Sequence, residues 1–295
     1  MITILDGGLG LELARRGTGS HTGLWSAKAL LEAPDSVVEV HKDYITAGAR
    51  IITTNSYSTI PSYLGTSDLA ARYVELTQLA GELARRAVQE SGEKVLIAGS
   101  LPPLSVSYRP DLVPDATEST PVYEAMVLAL RDHVDMFLCE TMSTGEEALN
   151  AVKQASQHGG GKPIMVSWTL NEEAGKGLRN GESIADAFGM LKDYDIESFL
   201  FNCTSPEAIL AAIKEMRNLT DKPIGGYPNR FTIVDPNWTL DNGTPVGGRP
   251  DIDIDYYVSM AHKFEEAGAS IIGGCCGVGP EFISALSESV NQASA

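Results

Sequence analysis

Two cysteines stand side by side in the run IIGGCCGVGP, residues 271–280, and a third occupies position 203 in FNCTSPEAI. An adjacent pair would close a small strained ring, so Cys275 and Cys276 make a poor disulfide with each other. Three thiolates suit a tetrahedral zinc ion and leave its fourth position open. Neighbouring residues on a strand point to opposite faces, so both cysteines reach one ion only where the chain leaves β geometry. Gly273, Gly274 and Gly277 permit that departure. With three thiolate ligands the metal is electron-rich and a weak Lewis acid, ill suited to activating water and well suited to holding a further thiol as thiolate. A thiol bound in this way is a nucleophile at neutral pH, where a free thiol is only slightly ionised. The implied chemistry is alkylation of sulfur. The rival reading of any one of these residues is the common fate of free cysteine, a small buried apolar side chain. That reading is kept for Cys139, the fourth and last cysteine, which has no thiol nearby in sequence.

Sulfurs so far apart in the chain can meet only if the fold gathers strand ends. Short β-branched runs at 2–5, 50–54, 95–99, 135–139, 163–168, 198–202, 223–227 and 270–274 alternate with amphipathic stretches such as SVVEVHKDYITAGA and PEAILAAIKEMRN. Near-continuous apolar strands indicate a parallel sheet buried on both faces. Eight of them, each followed by a helix, predict an α/β fold of the (β/α)8 TIM-barrel type, one domain over residues 1–295. An open doubly wound sheet fits less well, because GGLG lacks the spacing of a dinucleotide fingerprint. Barrel chemistry sits where strands end and βα loops begin. Those ends read DGG at 6–8, TNSY at 54–57, GSLPP at 99–103, CETM at 139–142, SWT at 167–169, NCTSP at 202–206, YPN at 227–229 and GGCCG at 273–277. All four cysteines fall in these strings. The turn-rich segment 229–255 follows strand 7 and has the length of a binding loop or lid over the mouth.

Composition narrows the classes. At 295 residues, 43% hydrophobic and 21% charged, the chain is an ordinary globular one. A net charge of −17 argues against nucleic acid and anionic membrane as partners. No basic lead with an apolar stretch opens the chain, and no run approaches the roughly 18 apolar residues of a membrane span. A cytoplasmic protein with reduced thiols is expected. DIDID at 251–255 lacks the glycine and terminal glutamate of a calcium loop. His41, His133 and His262 fall in helical patterns, where solvated or packed roles are expected.

ILDGGLGLELARRG, LWSAKAL, VHKDYITAGARIITTNSY, CET, FNCTSPEAI and IIGGCCGVGPEFI together resemble the homocysteine S-methyltransferase family, from residue 2 to about 285. The resemblance implies a (β/α)8 barrel in which Cys203, Cys275 and Cys276 hold Zn2+ and the zinc binds homocysteine sulfur. It further implies that Asp6, Gly7 and Gly8 belong to the amino-acid pocket, that Glu140 holds the substrate ammonium, and that Asn202 belongs to the same substrate site. Main-chain N–H groups of the DGG turn could receive a carboxylate. Trp25 and Tyr57 match positions that contact the methyl donor in some members; Trp168, Tyr227 and Trp238 are further aromatic candidates for a cationic donor.

Two loops depart from the family pattern. GSLPPLSVSYRPDL replaces a Gly-Pro-Tyr type of loop, and YPNRFTIVDPNW lacks an acidic residue after its asparagine. Arg109 and Asp111 in the first of these read as a loop ion pair. The expected activity is zinc-dependent transfer of methyl from a small sulfonium, S-methylmethionine or S-adenosylmethionine, to homocysteine thiolate, giving methionine. Folate- or cobalamin-binding modules do not fit in this length. The alternatives are a different thiol or selenol acceptor, betaine as donor, or a zinc- or thiol-binding barrel without turnover.

Overall fold

The computed structural model describes residues 2–19, 24–65, 69–232 and 247–293. Its strands are β1 (Thr3–Ile4), β2 (Ile51–Thr53), β3 (Leu96–Leu101), β4 (Met136–Met142), β5 (Ile164–Trp168), β6 (Ser198–Asn202), β7 (Ile224–Tyr227) and β8 (Ile271–Ile272). Each starts within one residue of the run read from the sequence. All neighbours are parallel, in the order β1-β8-β7-β6-β5-β4-β3-β2. A parallel bridge between Leu5 and Ile51 joins β1 to β2 and completes the ring. This is the (β/α)8 barrel.

Strand periodicity separates two apolar layers. Alternate residues Ala98, Leu138, Met165 and Leu200, with Leu5, Ile51, Met136 and Ile271, fill the barrel interior. Their neighbours Ile97, Phe137, Val166, Phe199 and Phe201 face the surrounding helices. Those helices are α1 (Leu9–Arg15), α2 (Ala27–Glu32), α3 (Pro34–Thr46), α4 (Pro61–Leu64), α5 (Tyr73–Ser91), α6 (Ala116–Leu130), α7 (Gly145–His158), α8 (Ile184–Met190), α9 (Pro206–Met216), α10 (Ile254–Glu266) and α11 (Pro280–Ala293). Side-chain caps start several of them: Thr144 on α7, Ser205 on α9 and Asp253, from the DIDID run, on α10. Among the described residues no helix is long and apolar enough to cross a membrane.

Trp168 corrects an expectation. It was a candidate for the mouth, yet it is wholly buried and stacks on Phe199 with ring centroids 5.9 Å apart. As the last residue of β5 it points outward to the helix layer. Cys139 and His41 are packed in that same apolar region, and burial alone pushes His41 down to about 4.

The β7–β8 seam depends on glycine. A Cβ at Gly225 would lie 1.7 Å from the Ile271 carbonyl oxygen, which is backbone and cannot swing aside. Gly225→Ala should therefore reduce unfolding free energy by about 1–3 kcal/mol, the usual range for overpacking. Urea titration measures it; an unchanged midpoint would show that this seam has slack.

Candidate active site

A cavity of about 970 Å³ opens among the βα turns and gathers most of the residues singled out by sequence. Asp6, Gly7, Gly8, Trp25, Tyr57, Glu140, Cys203, Tyr227, Cys275 and Cys276 all line it. Asn202 does not; it is fully buried behind the wall. Residues 233–246, most of the expected mouth loop and Trp238 with it, lie outside the described residues.

The three sulfurs converge. Cys203, Cys275 and Cys276 place their Sγ atoms within 4.8 Å of one another. β8 ends at Ile272, and the chain then turns: Cys275 N–H donates to the Pro228 carbonyl (2.8 Å), Val278 N–H donates back to Cys275 (3.0 Å), and Gly277 takes φ +83°. Cys203 itself has φ +52°, a left-handed conformation that turns its side chain off the end of β6. Close approach by the DGG turn completes the arrangement, because a Cβ on Gly8 would lie 2.6 Å from the Cys275 carbonyl oxygen.

One feature differs from the sequence expectation of three free thiols. Cys203 and Cys275 are joined as a disulfide, and Cys276 remains a thiol. Two sulfurs delivered to one point by separate strands are within bonding reach of each other when oxidised, so the same convergence serves either a disulfide or a shared ion. As a donor set the group fits a thiophilic metal once reduced: three sulfurs, one cavity, and a wall open beside them. Burial, with the nearby Glu140 charge next, pushes the Cys276 thiol up to about 12. It stays protonated at neutral pH unless a cation compensates the thiolate.

Two carboxylates face the same space. Asp6 accepts from the Thr53 N–H (2.7 Å) and hydroxyl (3.0 Å). Burial pushes it up to about 7 against those two bonds, and Glu140 adds to the rise. Glu140 accepts from the Ser100 hydroxyl and, at 3.4 Å, from the Tyr227 hydroxyl. It too is raised to about 7 by burial. Among the described residues neither group makes an ion pair, which suits a site that takes up an ammonium. Tyr227 thus serves the carboxylate. In the DGG turn, Asp6 N–H and Gly8 N–H are already spent on the Ile51 and Val278 carbonyls, so neither can receive a substrate carboxylate.

Asn202 acts from behind. Its carbonyl oxygen accepts from Thr141 N–H (3.0 Å) and the Ser167 hydroxyl (2.7 Å), and its amide donates to the Thr141 hydroxyl (2.8 Å). These bonds hold Thr141 at φ +60°, directly after Glu140. Trp25, Tyr108, Thr141 and Cys203 are the non-glycine residues with positive φ among those described, and every one lines the cavity. Strained backbone of this kind, at about 1–3 kcal/mol per residue, persists only where the surroundings enforce it.

Several wall residues were not singled out from sequence. Tyr63, Ser107 and Tyr108 join Trp25 and Tyr57 along one side, with the Tyr57 hydroxyl 2.7 Å from Ser107 Oγ. They come from the two regions around TNSY and GSLPPLSVSYRPDL, the second being a loop that departs from the family pattern. Arg109 and Asp111 pair with each other at 2.7 Å in an exposed loop and do not line the cavity.

The raised carboxylates carry a pH signature. An unfolded glutamate titrates near 4.5, whereas Glu140 holds its proton to about 7, so folding takes up a proton between these values. Its stabilisation is present below the unfolded value and lost as pH rises through about 7. His41, buried neutral, acts in the opposite sense, so a difference measurement is needed. The thermal stability of the metal-free protein relative to Glu140→Gln should decline as pH rises from about 5 to about 7.5. A constant difference would show that Glu140 is ionised throughout.

A family model described as homocysteine S-methyltransferase matches residues 3–290. The Bacillus subtilis (strain 168) homocysteine S-methyltransferase YbgG is 30% identical over 303 residues, covering 96% of this chain and 92% of that protein. The selenocysteine Se-methyltransferase of Brassica oleracea var. italica is 29% identical over 311 residues, covering 96% and 87%. Crystal structures of the Escherichia coli homocysteine methyltransferase MmuM superpose with TM-scores of 0.79 for the metallated form and 0.80 for the oxidised form. Both are 28% identical to this chain and align over 98% of it and 96% of their own length. Likeness on this scale, end to end and in both sequence and fold, shows a methyltransferase: the chain belongs to the homocysteine S-methyltransferase family.

Proposed function

We propose that this single barrel, residues 1–295, is a zinc-dependent enzyme that moves a methyl group from S-methylmethionine or S-adenosylmethionine to homocysteine, giving methionine. The observation that carries the reading is the meeting of three sulfurs from β6 and β8, within 4.8 Å, on the wall of a cavity that also presents two uncompensated carboxylates. Cys203, Cys275 and Cys276 would hold the zinc, and the bound metal supplies a site that keeps the homocysteine sulfur as thiolate. The Cys203–Cys275 disulfide must first be reduced, which agrees with a cytoplasmic enzyme.

The chain's own residues then perform binding and alignment. Glu140 takes the substrate ammonium, held in place by Ser100 and Tyr227, and Asp6 lies beside it. Asn202 fixes the turn that presents Glu140. On the aromatic side, Trp25 and Tyr57 present ring surface to a sulfonium. Transfer breaks the methyl–sulfonium bond, leaves the electron pair on the donor sulfur as a neutral thioether, and forms the new bond to the thiolate. No proton needs to move at the reacting atoms, so in-line placement supplies most of the acceleration.

A second acceptor deserves a place in the test, because a relative is named selenocysteine Se-methyltransferase and a selenol is an equally soft donor. Reduced, zinc-loaded protein should form methionine from homocysteine with a sulfonium donor and little or none with betaine. Cys203→Ser, Cys275→Ser and Cys276→Ser should each retain less than one zinc per chain and lose methionine formation. Full zinc retention in all three would remove the metal reading. Zinc binding without turnover on any sulfonium, betaine or selenol combination would make the barrel a binding protein.

A further inference from the structure

The loop 171–183 between β5 and α8 carries an ion pair that no role above employs. Its course is closed on itself. Leu170 and Leu178 form an antiparallel bridge, Asn171 N–H donates to Gly177 (3.0 Å), and Leu178 N–H donates to Glu182 (2.9 Å). Leu178 is wholly buried, which fixes the neighbouring Arg179 against the barrel. The Arg179 side chain is 9% exposed and pairs with Glu172 at 2.8 Å.

The guanidinium reaches two separate parts of the cavity wall. One nitrogen lies 3.5 Å from the Cys203 carbonyl oxygen, and Nε lies 3.3 Å from Thr169 Oγ1, itself 3.5 Å from that same carbonyl. The guanidinium carbon sits 4.7 Å over the Tyr108 ring. Cys203 and Tyr108 are two of the left-handed residues noted above, at φ +52° and +70°. Conformations of this kind stay populated only where something enforces them. A planar fork can stack on a ring and donate in its own plane at once, which an ammonium cannot.

We propose that Arg179, oriented by Glu172, is a positioning residue that holds the Cys203 turn and the Tyr108 wall in one arrangement, so that metal affinity and donor binding share a support. The inference rests on the zinc methyltransferase reading. An ordinary loop ion pair at the surface would add little stability and leave both properties untouched.

The test compares reduced full-length wild type with Arg179→Met, Arg179→Lys and Glu172→Gln. Zinc affinity is read by chelator competition, and KM for the sulfonium donor is read at saturating zinc and homocysteine. Arg179→Met should bind zinc about 10–100-fold more weakly, the range for lost support of a metal ligand, and should raise donor KM severalfold with kcat less affected. Arg179→Lys should recover only part of both. Glu172→Gln, which keeps the arginine but frees it, should shift both in the same direction by less, and it keeps the test open if Arg179→Met fails to fold. Wild-type zinc affinity and donor KM in Arg179→Met, or in Glu172→Gln if the first is unfolded, would overturn the proposal. So would a change in only one of the two properties, or a loss of thermal stability alone. A wild-type chain that binds no zinc would instead remove the reading beneath it, and the inference with it.

Discussion

Everything at the mouth of this barrel follows from bringing sulfur atoms on β6 and β8 to one point. The parallel sheet makes those strands near neighbours through β7, and only a chain that breaks strand geometry at both ends can aim the sulfurs inward. The cost appears as a left-handed cysteine at position 203 and as glycine wherever backbones touch. Gly8 against Cys275 and Gly225 against Ile271 are places where a single methyl group would push the seams apart. The thiol group is thus a property of the β6-β7-β8 pairing and of the turns that follow β6 and β8. No local motif could build it alone.

Burial gives the cavity a consistent electrostatic character. Asp6, Glu140 and the Cys276 thiol all hold their protons more tightly than in water, with desolvation the leading cause each time. Each would ionise if a cation arrived. The three cations of the proposed reaction are a metal ion, an ammonium and a sulfonium, and the wall offers a place for each: thiols, carboxylates and aromatic faces. Arg179, by contrast, approaches from outside and spends its charge on Glu172, a carbonyl and a ring face. Asp6 and Glu140 make no ion pair among the described residues, and an ammonium would supply the charge they lack.

Much of this was legible in the sequence because it depends on residue type and period. Continuous apolar runs placed each strand start within a residue, and paired cysteines amid glycine named the metal candidates. What could not be read was direction. Trp168 ends β5 at the expected place but on the outward face, so an aromatic at a strand end became core. Asn202 sits in the right motif, yet its amide is consumed by Thr141 and Ser167. Tyr63, on α4, and Tyr108, in the loop after β3, carry no sequence signal, since their approach to one wall is a tertiary fact.

Arg179 shows the limit most clearly. GKGLRNGES has glycine and polar residues around its arginine and no motif that sets Arg179 apart. Its meaning depends on Leu178 being buried beside it and on Cys203, 24 residues later, turning a carbonyl toward it. A residue that stabilises an improbable backbone has no signature of its own, because the improbable backbone lies elsewhere in the chain. Such supports are found by asking of each left-handed residue what surrounds it. For Cys203 and Tyr108 the structure returns the same guanidinium.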